Sequence, residues 1–86
     1  MLSAKSCETV AAHVARLLRE ERTKSSLSLN ELSAKAGLSR QMVSYVEQGK
    51  RNPSLDTMLR ISWALNINLD DVIREARLAS GLEKLK

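Results

Sequence analysis

Apolar residues recur at helical spacing along most of the chain and are interrupted by short polar stretches. The first apolar set consists of Val10, Val14, Leu17 and Leu18. These positions fall on one side of an α-helix, so we predict a first helix from near Ser6 to about Thr23. The polar stretch TKSS ends this pattern, and we expect a connection there.

Four further apolar sets each follow a residue type that caps helix N-termini. The side chains of Ser and Asn accept a hydrogen bond from a free backbone N–H of the first helical turn. The caps predicted in this way are Ser28, Ser39, Ser54 and Asn68. Glu31 stands three residues after Ser28, which is the spacing of a capping box, and Asp71 repeats this signature after the last cap.

The helix ends are marked by residues that tolerate a left-handed backbone. Gly37 and Gly49 follow the second and third helices, where such a residue commonly closes a helix. Asn66 belongs to one of the few other residue types suited to this conformation, and we expect it to close the fourth helix. The fifth helix is expected to reach about Ala79, before Gly81. The pattern therefore predicts five helices and an all-α fold.

The composition agrees with one small helical domain. The chain has 86 residues, of which 43% are hydrophobic and 28% are charged, and Phe is absent. This length has room for a single modest core, which must be built mainly from aliphatic side chains. We predict one domain over residues 1–86, with its core at about 8–79 and a C-terminal tail at 80–86.

The net charge of +4 is unevenly distributed along the chain. Residues 1–52 contain nine Lys or Arg and five Asp or Glu, which gives +4, whereas residues 53–86 contain five of each, which gives zero. A basic half joined to a neutral half indicates a protein that binds a polyanion. The alternative is a chance asymmetry of a solvated surface.

Residues that support catalysis or bind metals are scarce. Cys7 and His13 are the single examples of their types, so they form neither an internal disulfide nor a structural zinc site by themselves. No Gly-rich phosphate loop follows a predicted strand. We therefore expect no metal, no cofactor and no enzymatic activity. No apolar run reaches the length of a membrane span, and we expect a cytoplasmic protein without membrane association.

The third predicted helix has two chemically different sides. Its apolar side consists of Met42, Val43 and Val46. The opposite side, roughly 180° away on a helical wheel, consists of Arg40, Gln41, Ser44, Tyr45 and Gln48. This side has no carboxylate, and its members can donate hydrogen bonds. Because Arg binds guanine and Gln binds adenine through paired hydrogen bonds in the major groove, we predict that this helix reads DNA bases.

Lys50 and Arg51 follow the third helix and add positive charge where a phosphate of bound DNA would lie. The same residues also have interpretations that do not involve DNA. Arg40 and Gln41 also suit a solvated helix start, and Tyr45 also suits the edge of the core. The stretch GKRNP has the composition of an ordinary loop.

The second and third helices are joined as in a helix-turn-helix unit, at residues 29–48. Ser33 is small and Gly37 stands at the turn, as two closely crossing helices require. Residues 8–75 resemble the helix-turn-helix family of phage lambda repressor and Cro. The resemblance is carried mainly by the stretches AGLSRQMVSYVEQGKRNPSLDTMLRI and LDDVI. The resemblance implies a five-helix bundle whose third helix enters the major groove of DNA.

The resemblance also implies roles for individual residues. Its base-reading positions are matched by Arg40, Gln41 and Tyr45, with Ser44 beside them. The residues assigned to the DNA backbone are Ser39, Gln48, Lys50, Arg51 and Asn52. Glu47 matches an acid that pairs with an arginine of the first helix, and we predict Arg19 as this partner.

The chain departs from the family pattern at two places. Leu29 stands where many members have a Gln that binds a phosphate. That contact is therefore absent or is made by Asn30 or by backbone amides. The connection after Arg22 is also longer than usual.

A dimer surface is predicted on the neutral half of the chain. The fourth helix is expected to bury Leu55, Met58, Leu59, Ser62 and Leu65. This leaves Trp63 turned away from the core. Because exposed apolar groups often mark interfaces and Trp is enriched at binding hot spots, we predict an interface made of Trp63, Ile67, Leu78 and Leu82. The alternative is that Trp63 folds over the fifth helix.

Together these features favour a sequence-specific, DNA-binding transcriptional regulator that binds a near-palindromic operator in double-stranded DNA as a homodimer. The length leaves no room for a separate ligand-sensing domain, so we expect no small-molecule ligand. The alternative is a protein-interaction module, such as the antitoxin of a toxin–antitoxin pair.

Overall fold

Five α-helices make up most of the computed structural model, which describes residues 4–50 and 52–81. The helices are α1 (Ala4–Lys24), α2 (Leu29–Ala36), α3 (Arg40–Glu47), α4 (Leu55–Ala64) and α5 (Leu69–Ala79). No strand occurs within the two described ranges, and no helix in them is long and apolar enough to cross a membrane. The predicted all-α, five-helix fold is confirmed, with helix bounds close to those expected.

The predicted caps are present at the starts of α2, α3 and α4. The Ser28 hydroxyl accepts from the backbone N–H of Glu31 at 3.0 Å, and the Glu31 carboxylate accepts from the backbone N–H of Ser28 at 2.9 Å, which completes a capping box. Ser39 and Ser54 each accept from a backbone N–H in the first turn of the helix that they cap. Asn68 differs, because its amide donates to a carboxylate three residues later and makes no cap hydrogen bond. The side-chain cap predicted for α5 is therefore wrong, although α5 begins where expected.

Each helix is followed by a residue with positive φ. These residues are Ser26, Gly37, Gly49, Asn66 and Gly81. Asn66 has a φ of 58°, as expected for the end of α4. Ser26 was not predicted, but it also has a φ of 58°, and the next backbone N–H donates to the carbonyl of Arg22 at 3.2 Å. This hydrogen bond closes α1 in the way that a glycine commonly closes a helix.

Every helix contributes at least one fully buried side chain to one shared core. The residues with no exposed surface include Leu18, Leu32, Val43, Ile61 and Ala76, one from each of α1 to α5. α1 packs against α5 and α3, while α2 packs against α3 and α4. The core therefore fixes α3 between α1 and α2 and leaves its other side at the surface.

The buried side of α4 differs from the predicted one. Leu55 is 61% exposed and Leu59 is 50% exposed, although both were expected in the core. Of the other residues predicted in the core, Ser62 and Leu65 are buried and Met58 is half-buried, as expected. Thr57 and Ile61 are buried although they were not predicted. The helix is rotated relative to the prediction because two overlapping apolar stripes are present in its sequence, and packing against α2 selects the one that contains Ile61.

Candidate nucleic-acid interface

A tight turn joins α2 to α3 and sets the angle between them. Gly37 has a φ of 69° and a ψ of 35°, and the backbone N–H of Leu38 donates to the carbonyl of Ser33 at 3.0 Å. Ser33 is buried, so a small side chain occupies the place where the helices cross. A Cβ added to Gly37 would also lie 3.2 Å from Nη1 of Arg60. Because the Arg60 side chain is exposed and its end can shift, the left-handed backbone conformation is the reason that favours glycine at the turn.

α3 has one buried side and one side that faces outward. Val43 and Val46 are buried in the core. The side chains predicted to read bases are exposed at Arg40 and Gln41 and half-buried at Ser44 and Tyr45. The structure therefore brings the four predicted base-reading residues to one surface.

Two hydrogen bonds link neighbouring side chains on the outward side of α3. The Gln41 amide donates to the Tyr45 hydroxyl at 2.7 Å, and the Gln48 amide donates to the Ser44 hydroxyl at 2.9 Å. Each pair is separated by one helical turn. These bonds hold the two amides in defined orientations, and an amide retains further donor and acceptor capacity for a ligand.

Glu47, the single carboxylate of α3, is directed into the protein. Its two oxygens accept from Nε of Arg22 at 2.7 Å and from Nη2 of Arg22 at 3.0 Å. Nη1 of Arg22 also donates to the carbonyl of Leu27 at 2.9 Å. One guanidinium therefore joins α1, the α1–α2 connection and the end of α3.

The predicted partner of Glu47 was wrong, because the ion pair is made by Arg22 and not by Arg19. Arg19 is exposed. Arg22 is in the last turn of α1, which lies against α3, and its side chain is only 18% exposed. The hydrogen bond to Glu47 is the main cause that raises the pKa of Arg22 above its ordinary value. The outward side of α3 thus has no negative charge.

The loop after α3 presents polar groups next to this surface. Gly49 has a φ of 69°, and the backbone N–H of Lys50 donates to the carbonyl of Tyr45 at 3.1 Å. Lys50 and Asn52 are exposed, as is Ser39 at the other end of α3. Arg51, the second predicted phosphate-binding cation, lies outside the described residues.

A second unusual surface lies on α4. Leu55, Leu59 and Trp63 follow one another at intervals of one helical turn, and Trp63 is 76% exposed. Trp63 and Ile67 border the same surface hollow, together with residues at the start of α5. Trp63 therefore does not fold down onto α5.

The remaining predicted interface residues are placed differently. Leu78 is 52% exposed and lies on the side of α5 away from its buried residues. It is not among the residues around the hollow beside Trp63. Leu82 lies outside the described residues. The structure thus joins two of the four predicted interface residues and separates Leu78 from them.

Comparisons with known proteins identify relatives of the same architecture. A family model for helix-turn-helix proteins matches residues 18–72. An uncharacterized HTH-type transcriptional regulator of Archaeoglobus fulgidus is 34% identical over 55 residues, which are 64% of this chain and 79% of that protein. The uncharacterized HTH-type transcriptional regulator y4dJ of Sinorhizobium fredii is 36% identical over 59 residues, which are 69% of this chain and 71% of that protein.

Two solved structures have similar folds. The restriction-modification controller protein C.AhdI from Aeromonas hydrophila has a TM-score of 0.68 and 36% identity, over 73% of this chain and 94% of that chain. The hypothetical transcription factor NHTF from Neisseria has a TM-score of 0.70 and 26% identity, over 92% of this chain and 93% of that chain.

Proposed function

Because this chain belongs to the lambda repressor- and Cro-like helix-turn-helix family of DNA-binding transcriptional regulators, we propose that it regulates transcription by placing α3 in the major groove of a specific operator. The observation that supports this best is the outward side of α3. It combines Arg40, Gln41, Ser44 and Tyr45, while Glu47 is paired inside the protein. A carboxylate on this side would repel the phosphates on both edges of the groove.

Each part of the surface has a proposed role. Arg40 and Gln41 read bases by paired hydrogen bonds, with Ser44 and Tyr45 beside them. Ser39 and Gln48 at the two ends of α3, with Lys50, Arg51 and Asn52 in the following loop, contact phosphates and set the register of the protein on the duplex.

The second proposal is that the protein binds as a homodimer to a near-palindromic site. An α3 of eight residues reaches only a few base pairs, so two copies are needed for a site of useful length. The exposed Leu59 and Trp63 supply an apolar surface on the neutral half of the chain. Two α3 helices held in this way would enter successive major grooves about 34 Å apart.

Selection of bound DNA from a pool of random duplexes tests both proposals. We expect enrichment of one sequence with two inverted half-sites, separated by about one helical turn. Failure to enrich any sequence, although the folded protein is present, would contradict sequence-specific binding. Enrichment of a single half-site without an inverted copy would support base reading but contradict the homodimer.

A protein-interaction module, such as an antitoxin, is the second candidate function. The exposed apolar row on α4 favours it, since the same row suits a different protein partner. A chain that is monomeric when purified, enriches no DNA, and becomes a one-to-one complex with the product of a neighbouring gene would support this candidate.

A further inference from the structure

A cavity of about 440 Å³ opens between α1, α5 and the loop from α3 to α4. Its floor is formed by the buried Val14, Ala15 and Val46. Its walls include the half-buried Ala11 and Ile73. The cavity is partly open to solvent, and its volume is within the range of small-molecule sites. The cavity is therefore large enough to hold an organic ligand.

The rim of the cavity contains two charged residues in different surroundings. Arg77 is half-buried, and within the described residues its guanidinium makes no ion pair or hydrogen bond. Glu8, also on the rim, is exposed and remains hydrated. A half-buried cation without a partner gains more from a ligand of opposite charge than an exposed anion does, because water screens the latter. The rim therefore favours an anionic group beside Arg77.

In contrast to the absence of a small-molecule ligand expected from the chain length, we propose that this cavity binds a small organic anion whose apolar body enters between α1 and α5. Its carboxylate or sulfonate pairs with Arg77 at the rim. This ligand site lies on a different side of α3 from the base-reading residues, and it shares one border with the DNA-binding surface. Val46 belongs to α3, and Gly49, Asn52 and Pro53 belong to the loop that contains Lys50.

The shared border couples the ligand to DNA, and this part rests on the proposed function. An occupant packed against Pro53 and Gly49 stabilises the loop in the arrangement that the structure shows, in which Lys50 and Asn52 are exposed. We expect tighter binding of DNA in the presence of the ligand. By linkage, DNA must then increase the affinity for the ligand by the same factor.

Two fluorescent probes test the site. The first, 8-anilinonaphthalene-1-sulfonate, is anionic, and the second, N-phenyl-1-naphthylamine, has the same apolar body without the charge. We expect the folded protein to bind the anionic probe more tightly. The substitution Arg77→Met should lower the affinity for the anionic probe about tenfold, because a charge-assisted hydrogen bond is lost. The affinity for the neutral probe should not change. Glu8→Gln should weaken neither probe.

A second variant locates the probes within the cavity. Ala11→Leu adds a larger side chain to the wall and should reduce binding of both probes, whereas Ala34→Leu makes the same change on the exposed surface of α2 and should have no effect. Cooperative thermal unfolding monitored by circular dichroism verifies that each variant is folded. Undiminished binding to folded Ala11→Leu, or equal loss of both probes in Arg77→Met, would overturn the proposal.

A DNA titration tests the coupling separately. With the anionic probe at saturation, we expect the affinity for a random duplex to rise about threefold, within the usual range of coupling between sites. An unchanged affinity for DNA would contradict the coupling but not the ligand site. If the protein binds no duplex at all, the proposed function fails, while the fluorescence results still decide the ligand site.

Discussion

The outward sides of α3 and α4 are both exposed, but their chemistry is opposite. α3 presents Arg40 and Gln41, together with hydroxyl groups. α4 presents Leu55, Leu59 and Trp63 at intervals of one turn. The apolar row on α4 is flanked by the exposed ion pair of Asp56 with Arg60, whereas the outward side of α3 has no acidic residue.

The difference indicates that the two helices face different partners. A row of hydrogen-bond donors without carboxylates suits the base edges and phosphates of DNA. A row of large apolar side chains has no favourable role in water and suits another protein surface. The exposed side chains of a short helix therefore indicate the kind of partner that binds there, once the tertiary structure shows which side of the helix is exposed.

The largest expected effect concerns the ion pair that orients α3. Arg22→Ala leaves the Glu47 carboxylate buried without its partner, and we expect the free energy of unfolding to fall by about 3 kcal/mol. Arg19→Ala is the matched control, because it removes an exposed guanidinium from the same helix, and it should change stability by less than about 0.5 kcal/mol. Urea unfolding measures both. Equal losses would show that the ion pair with Glu47 does not stabilise the fold.

The next prediction concerns the apolar row on α4. Trp63→Glu places a charge in the proposed interface and should weaken dimerisation by at least about 2 kcal/mol, as at other interface hot spots. Light scattering should give the mass of two chains for the parent protein and of one chain for the variant. Leu78→Glu is the comparison, because Leu78 is separated from the hollow beside Trp63. A Trp63→Glu variant that remains dimeric would place the interface elsewhere.

The third prediction concerns base reading by α3. Arg40→Ala and Gln41→Ala should each lose about 2 kcal/mol of binding free energy at the selected operator and less on a random duplex. Tyr45→Phe tests a third residue of the same surface, since it removes the hydroxyl that accepts from Gln41, and it should also lose more affinity at the operator than on the random duplex. Fluorescence anisotropy with both duplexes measures the difference. Equal losses on the two DNAs would assign the mutated residue to phosphate contact.

The fourth prediction separates phosphate contact from base reading. Lys50→Ala should weaken operator and random duplex alike, and the slope of log K against log salt concentration should decrease by about 0.9. Arg74→Ala removes a cation from the neutral half, where Arg74 pairs with Asp71, and should leave the slope unchanged. An unchanged slope in Lys50→Ala would place this side chain away from the DNA backbone.

The smallest expected effect concerns the capping box of α2, the helix against which α3 packs. The hydrogen bond from the Ser28 backbone is the main cause that lowers the pKa of Glu31 below its ordinary value of 4.5. Since the folded pKa is lowered, the stabilisation is complete above pH 4.5 and is lost as the pH falls through the folded value.

Glu31→Gln tests this pH dependence because it retains the shape of the side chain without the titration. Between about pH 6 and about pH 3, the parent protein should lose more thermal stability than the variant. If the melting temperatures of parent and variant fall equally as the pH is lowered, the charge of the Glu31 carboxylate does not stabilise the fold. This measurement concerns only the support of α3, so DNA affinity at neutral pH should change little.

Local signals predicted most of the fold. Ser28, Ser39 and Ser54 cap the helices that they were expected to cap, and Gly37 and Gly49 adopt the expected left-handed conformation. These interactions join residues a few positions apart, so their physical cause is contained in a short stretch of sequence. The outward composition of α3 was predicted for the same reason.

Interactions between distant residues were less predictable. Arg19 and Arg22 are both arginines near the end of α1, and helical periodicity does not decide which one reaches Glu47, 25 positions after Arg22. In α4, the apolar stripes that contain Leu59 or Ile61 are both plausible from periodicity. Packing against α2 determines that the stripe with Ile61 is the buried one.

The sequence by itself determined the five helices, the caps of α2, α3 and α4, and the polar side of α3, because backbone capping and helical periodicity act over one or two turns. Only the tertiary structure decided that Arg22 is the partner of Glu47, that α4 exposes Leu55 and Leu59, and that a cavity opens beside Arg77. Each of these depends on how helices rotate and pack against one another, and this rotation is set by the complementary shapes of side chains distant in sequence.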